Sequence, residues 1–258
     1  MTTGSRGRRR VLVTGGSRGI GAAICRRLAA QGDRIAIHCR SNMAAAQQLR
    51  SELDGADHVI VTADLADTAA ISPMVDGVVA DLGGIDVLVH NAGIFIQHPV
   101  VTTGYDEWIE TWRQVVDVNL IASAALAHRV VDHLVHRPAG PDGGKIVVVG
   151  SRGAYRGEPN AAAYGASKAG LHSMAQSLAV ALAPHGITVA AVAPGFIRSD
   201  LSEGVLTGVA GDAVRAQSPF GRVGEPDEVA AAVAWLASPD AVWSTGAVID
   251  VNGASYLR

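Results

Sequence analysis

Short β-branched apolar runs alternate along this chain with longer stretches in which apolar positions recur every three or four residues. The runs are RVLVT (10–14), RIAIHC (34–39), HVIVT (58–62), IDVLVH (85–90), KIVVVG (145–150), ITVAAV (187–192) and AVIDV (247–251). They are almost continuously apolar rather than alternating, which predicts strands covered on both faces. Helical spacing predicts helices over 19–31, 43–54, 67–82, 106–136, 160–184 and 226–237. The last opens with Pro226, Asp227 and Glu228, a good helix start. Strand–helix alternation over the whole length predicts an α/β fold. It is a Rossmann-like, doubly wound parallel sheet of seven strands with helices on both faces. No linker or repeat divides it, so 10–258 reads as one domain behind a basic, flexible leader over 1–9. The glycines and proline of 198–220 predict a mobile lid.

Composition narrows the function. The chain is 48% hydrophobic and carries a formal charge of −3, which counts against binding nucleic acid by neutralising phosphates. No run approaches the roughly 20 apolar residues of a membrane span. Cys25 and Cys39 are too few for a disulfide framework and predict a reducing, cytoplasmic setting. His133 and His136, with Asp132 and His128 nearby, lack zinc-site spacing, so no metal is expected.

The first strand runs into TGGSRGIG (14–21), which also opens the first helix. In such a sheet this turn binds a pyrophosphate, because helix-start N–H groups and the helix dipole favour negative charge. Gly15, Gly19 and Gly21 make the pattern TGxxxGxG rather than GxGxxG, and Ala22 stands where a P-loop needs lysine. A carboxylate usually ends the second strand of an enzyme that holds NAD by its ribose hydroxyl. This strand ends HCRSN, with Cys39 and then Arg40. A guanidinium there suits the 2′-phosphate of NADP(H), and Arg18 can contribute from within the loop.

Of 21 basic residues only two are lysines, Lys145 and Lys168. Lys168 stands four residues after Tyr164, so on a helix the two share one face. Free tyrosine, with a pKa of about 10, is a poor acid or base at neutral pH. A nearby ammonium stabilises the phenolate; a shift of roughly three units corresponds to about 4 kcal/mol. Ser151 ends the fifth strand at the carboxyl edge, where its hydroxyl can hold a carbonyl. Tyr155 is a rival tyrosine, but Pro159 stands four residues beyond it.

With these residues the chain resembles the single-domain short-chain dehydrogenases/reductases over residues 8–253. The landmarks are TGGSRGIG, ADLAD (63–67), HNAGI (90–94), VDVNL (116–120), Ser151, YGASK, APGFIRSD (193–200) and GRVGEPDEVAAAVAWLAS (221–238). The branch it looks most like is the 3-oxoacyl-ACP reductase group. The resemblance implies Tyr164 as acid/base, Lys168 on the nicotinamide ribose, Ser151 on the carbonyl and Asn119 holding a water in the proton relay. It implies cofactor contacts from Gly15, Ser17, Arg18, Gly19, Ile20, Gly21, Arg40, Ser41, Asp64, Leu65, Asn91, Ala92, Gly93, Pro194, Gly195, Ile197 and Ser199, besides Tyr164 and Lys168. It further implies a homotetramer, with helices 106–136 and 160–184 buried between subunits.

Three departures stand out. Gly150 replaces a common second serine, and the loop HRPAGPDGG (136–144) is longer than usual. Asp142 and His185 occupy places that are often basic in acyl-carrier-protein reductases. That counts against an acyl carrier protein as partner and leaves a small ketone or acyl substrate untouched. The expected activity is NADPH-dependent reduction of a ketone. Oxidation of a sugar, sterol or secondary alcohol is the alternative, and a non-catalytic dinucleotide sensor is a remoter one. Substrate choice is expected to depend on IFIQHP (94–99), RGAYRGE (152–158) and the lid.

Overall fold

A computed structural model describes residues 8–199 and 208–258. Among these, seven parallel strands form one sheet in the order β3-β2-β1-β4-β5-β6-β7. They are β1 (Arg10–Val13), β2 (Arg34–Cys39), β3 (Val59–Thr62), β4 (Val87–His90), β5 (Lys145–Val149), β6 (Thr188–Pro194) and β7 (Val248–Val251). The helices are α1 (Gly19–Ala30), α2 (Met43–Glu52), α3 (Thr68–Leu82), α4 (Tyr105–Val116), α5 (Ala122–His136), α6 (Ala162–Leu182), α7 (Gly208–Arg215) and α8 (Pro226–Leu236).

The period of two along a strand divides the core. Val11 and Val13 of β1 join Ile24, Leu28, Val229 and Val233 in a cluster with α1 and α8. Leu12, between them, joins Val75, Leu126, Val130 and Leu171 in the cluster under α3, α5 and α6. Both faces of the sheet are thereby covered, which is why its strands read as unbroken apolar runs.

Four local findings refine the sequence expectations. The helix expected over 106–136 is continuous but passes through a π-helical turn, Asp117–Ile121, which holds Asn119. Such turns often lie at functional sites. Arg8 and Arg9, expected to belong to a loose leader, are anchored. Arg8 Nε donates to the Gly32 carbonyl at 2.9 Å, and Arg9 makes a forked pair with the buried carboxylate of Asp33 at 2.8 and 2.6 Å. Of the expected lid, 200–207 lies outside the described residues, and 208–215 is the helix α7. His133 is used structurally: its Nε2 accepts the Ile85 N–H at 3.0 Å. Among the described residues no helix is long and apolar enough to cross a membrane.

Strand order reverses between β1 and β4, and the loops after β1, β2, β4, β5 and β6 leave from one edge. Ligands of open α/β sheets bind in the crevice this creates.

Candidate active site

The turn after β1 is closed by its neighbours. Gly15 (φ 60°) and Gly19 (φ 53°) adopt the left-handed region that favours glycine. A Cβ at Gly21 would collide with the Gly15 carbonyl oxygen. The Asn91 amide donates to the carbonyls of Thr14 and Gly15 at 3.0 and 3.1 Å, fastening the turn to the end of β4. Thr14 Oγ1 accepts from the N–H groups of Asn91 and Ala92, at 3.0 and 3.1 Å. Its own proton is left for His90 Nδ1, 3.3 Å away. His38 Nδ1 accepts the Gly15 N–H at 3.1 Å, so its Nε2–H donates to the Ala63 carbonyl, also at 3.1 Å. Burial holds both histidines below their usual range, His90 down to about 3, so they act here as neutral braces.

Ser17 and Ile20 are half-buried at the start of α1, and Arg18 is its exposed N-cap. Arg40 and Ser41 are exposed beyond β2, and the side chains of Arg18 and Arg40 are engaged by no other described residue. Burial raises the Cys39 thiol, so no negative charge ends that strand. Asp64 is exposed, with its Oδ1 fixed by the Ala66 N–H at 3.0 Å. Leu65 is turned into the core. On the other side of the crevice, Gly195 lies against Asn252 after Pro194. Ile197 bridges to Gly224, and Ser199 Cβ comes within 3.7 Å of a Cβ position at Gly19. The two loops that would flank a dinucleotide therefore meet.

Ser151, Tyr164, Lys168 and Asn119 converge at the same edge. Ser151 is the N-cap of a short 3-10 turn, Arg152–Ala154, and its Oγ accepts the Gly153 N–H at 3.0 Å. The Ser151 hydroxyl lies near enough to the Tyr164 phenol to favour its ionised form. Burial raises the phenol above its ordinary range, and the neighbouring Ser151 hydroxyl offsets part of that. Lys168, one turn further along α6, is buried and donates to the Val149 carbonyl at 3.0 Å. Its Nζ lies 5.8 Å from the Tyr164 ring centroid, and burial lowers its pKa to about 8. The ammonium is directed at the Val149 carbonyl, and burial dominates the phenol.

Asn119 is fully buried in the π-helical turn. It exchanges both amide hydrogen bonds with the Ile94 backbone, at 2.8 and 3.1 Å, and donates to Ser167 Oγ at 3.0 Å. Gly93 is packed between it and Lys168: a Cβ there would lie 3.2 Å from Asn119 Oδ1 and 3.3 Å from Lys168 Nζ.

Three supporting residues were not legible in sequence. His98 Nε2 accepts the Ala163 N–H at 3.2 Å, satisfying an orphan donor in the first turn of α6 beside Tyr164. Thr14 was visible only as part of a loop. His172 sits behind Ser151, whose N–H it accepts on Nε2 at 3.4 Å. A Cβ at Gly150 would collide with the His172 ring, so the departure from serine at 150 makes room for this imidazole. Burial keeps it neutral, with a pKa of about 4.

A doubly wound sheet with a glycine turn at its switch point and a serine–tyrosine–lysine set at its edge defines an oxidoreductase. The family model for enoyl-(acyl carrier protein) reductases matches residues 15–254. The chain is 36% identical to the 3-oxoacyl-[acyl-carrier-protein] reductase of Escherichia coli, over 95% of this chain and 96% of that protein. It is 35% identical to 3beta-hydroxysteroid dehydrogenase 1 of Eggerthella lenta, over 96% of this chain and 93% of that one. A short-chain dehydrogenase from Burkholderia cenocepacia, solved in complex with NADP, superposes with a TM-score of 0.84 at 34% identity, covering 96% and 97% of the two chains. The chain belongs to the short-chain dehydrogenase/reductase family.

Proposed function

We propose that the protein is an NADPH-dependent ketoreductase that converts a ketone to a secondary alcohol. The observation that carries this reading is the convergence of Ser151, Tyr164 and Lys168 at one sheet edge, with Lys168 buried one helical turn from the tyrosine and 5.8 Å from its ring centroid. A phenol raised by burial stays protonated at neutral pH, which suits a proton donor better than a base. Ser151 and Tyr164 would both hold the substrate oxygen, and the phenol would protonate it as charge develops. Lys168 would bind the nicotinamide ribose and stabilise the phenolate left behind. Asn119 would keep the π-helical turn in place for a relay water.

The residues fit the cofactor. Gly15, Gly19 and Gly21 let the turn close tightly at the start of α1, where a pyrophosphate would sit, and no other described residue engages the side chains of Arg18 and Arg40, where a 2′-phosphate would sit. The NADP complex of the Burkholderia relative supports the same reading. When bound, NADPH supplies the hydride.

A panel of ketones with both cofactors tests this. Turnover is expected with NADPH, and Arg40→Asp is expected to reduce kcat/KM for NADPH about 10–100-fold relative to NADH, through loss of charge-assisted bonds. An unchanged preference would overturn the role of Arg40. Preferential oxidation of sterols or sugars by NADP+ would favour the reverse direction, to which the steroid dehydrogenase relative lends some support.

We also propose a cytoplasmic homotetramer. Ile121, Val135 and Val180, at or on α5 and α6, and Trp243 near β7 are exposed apolar groups that a partner copy would cover. Sedimentation equilibrium is expected to return four times the chain mass; a monomer at micromolar concentration would contradict it.

A further inference from the structure

Arg152 follows Ser151 directly, yet its side chain is turned inward and is only 4% exposed. Its Nη2 donates to Gln217 Oε1 at 2.5 Å, and Arg156 Nη1 donates to the same oxygen at 2.7 Å. The guanidinium lies over the Phe196 ring, 5.0 Å from its centroid. Arg152 Nη1 is buried and has no hydrogen-bond partner among the described residues. Arg152, Phe196, Gln217, Ser218 and Asn252 line a cavity of about 160 Å³.

Burying a guanidinium is costly unless a compensating charge accompanies it. Here the acids around the cavity are committed elsewhere. Glu228 pairs with Arg222 at 2.7 Å, and Asp250 with Arg258 at 3.0 Å. Glu158 lies in the field of Arg152 and Arg156, but among the described residues it makes no hydrogen bond or ion pair with either guanidinium. The two arginines are left facing one neutral amide oxygen. An oxygen that accepts from two guanidiniums occupies the position a carboxylate oxygen would take, with charge added to the bond.

We infer that the substrate carries a carboxylate, which displaces Gln217 and is bound by Arg152 and Arg156 while its ketone lies at Ser151 and Tyr164. This rests on the ketone-reduction reading above. It narrows the substrate to an oxo acid rather than a neutral ketone or alcohol, and it gives a reason for an arginine beside the serine. Gln217 then acts as a placeholder between the lid side and the 152–156 turn.

Two measurements test it. In the first, 3-oxobutanoate, 4-oxopentanoate and 5-oxohexanoate are compared with their primary amides, using NADPH. For at least one chain length the acid is expected to have a KM about tenfold or more below that of its amide. Arg152→Gln is expected to raise the KM of the acid and erase that difference, and Arg152→Lys to restore part of it. In the second, pentanoate and pentanamide are titrated calorimetrically into the protein with NADP+. Pentanoate alone is expected to bind, more tightly to Gln217→Ala and not to Arg152→Gln. If Arg152→Gln does not fold, Arg152→Lys and Gln217→Ala carry the comparison.

Equal kinetics for acids and amides, or an acid preference that survives Arg152→Gln, would overturn the inference. So would failure of pentanoate to bind. Each of these outcomes, with neutral ketones still reduced, leaves the ketoreductase reading standing. Arginine-dependent pentanoate binding without reduction of any ketone would sink that reading and keep the carboxylate site.

Discussion

Tyr164→Phe is expected to lower kcat for ketone reduction by about 10²–10⁴-fold, the usual worth of a positioned proton donor. The substitution removes one oxygen and keeps the ring, which packs edge-on against Phe95 at 5.0 Å between centroids. NADPH affinity should therefore change little, and the loss should lie in the chemical step. Steady-state kinetics with a competent ketone, together with a cofactor titration, separates the two. Near-normal turnover would remove Tyr164 from the chemistry. The pH profile of the parent enzyme bears on the same site. Lys168, lowered to about 8 by burial, is an ammonium below that pH and neutral above it. Reduction kcat/KM should thus fall as pH rises through about 8, while the phenol, raised by burial, remains protonated. A profile flat well beyond that pH would mean that the ammonium is not needed.

Gly21→Ala should both destabilise the protein and weaken NADPH binding. The new methyl group collides with the Gly15 carbonyl oxygen and would come 2.7 Å from Asn91 Nδ2. Neither neighbour can yield cheaply. The carbonyl belongs to a turn held by Asn91, and Asn91 is itself tied to Thr14 at 3.0 Å. Overpacking of this kind costs about 1–3 kcal/mol, and here the strain falls on the turn that would hold the pyrophosphate. Urea unfolding and a fluorescence titration with NADPH measure the two effects. Gly77→Ala is the control: it lies inside α3 with nothing within 4 Å of a Cβ, so stability should hold or rise. Equal behaviour of the two variants would show that the turn tolerates a side chain.

Much of this was legible in the residues because the signals are local. Unbroken runs such as KIVVV become central strands, since a buried parallel strand has no solvent face to mark with polar residues. Asp67 caps α3 by accepting the Ala69 N–H at 2.9 Å, in agreement with a helix expected from 67. The spacing of Tyr164 and Lys168 puts both on one helix because four residues are close to one turn. The boundary of the leader was not legible, because Arg9 is fixed by Asp33, a partner reached only in three dimensions. The helix α7 was hidden behind glycines that read as a flexible stretch. His98 and His172 looked like ordinary histidines until α6 brought a backbone N–H to one and Ser151 to the other.

By itself, then, the sequence determined the alternation of strands and helices, the glycine turn, the tyrosine–lysine pair and the missing carboxylate after β2. Each of these depends on periodicity, backbone freedom or residue chemistry within a few positions. Only the tertiary structure decided which way charge and hydrogen bonds point. It turns Lys168 toward the Val149 carbonyl, explains Gly150 by the bulk of His172, and folds Arg152 inward against Phe196 and Gln217. The physical reason is that burial and partnership are properties of groups brought together from distant parts of the chain, and Arg152 reaches Gln217 only across 65 residues of it.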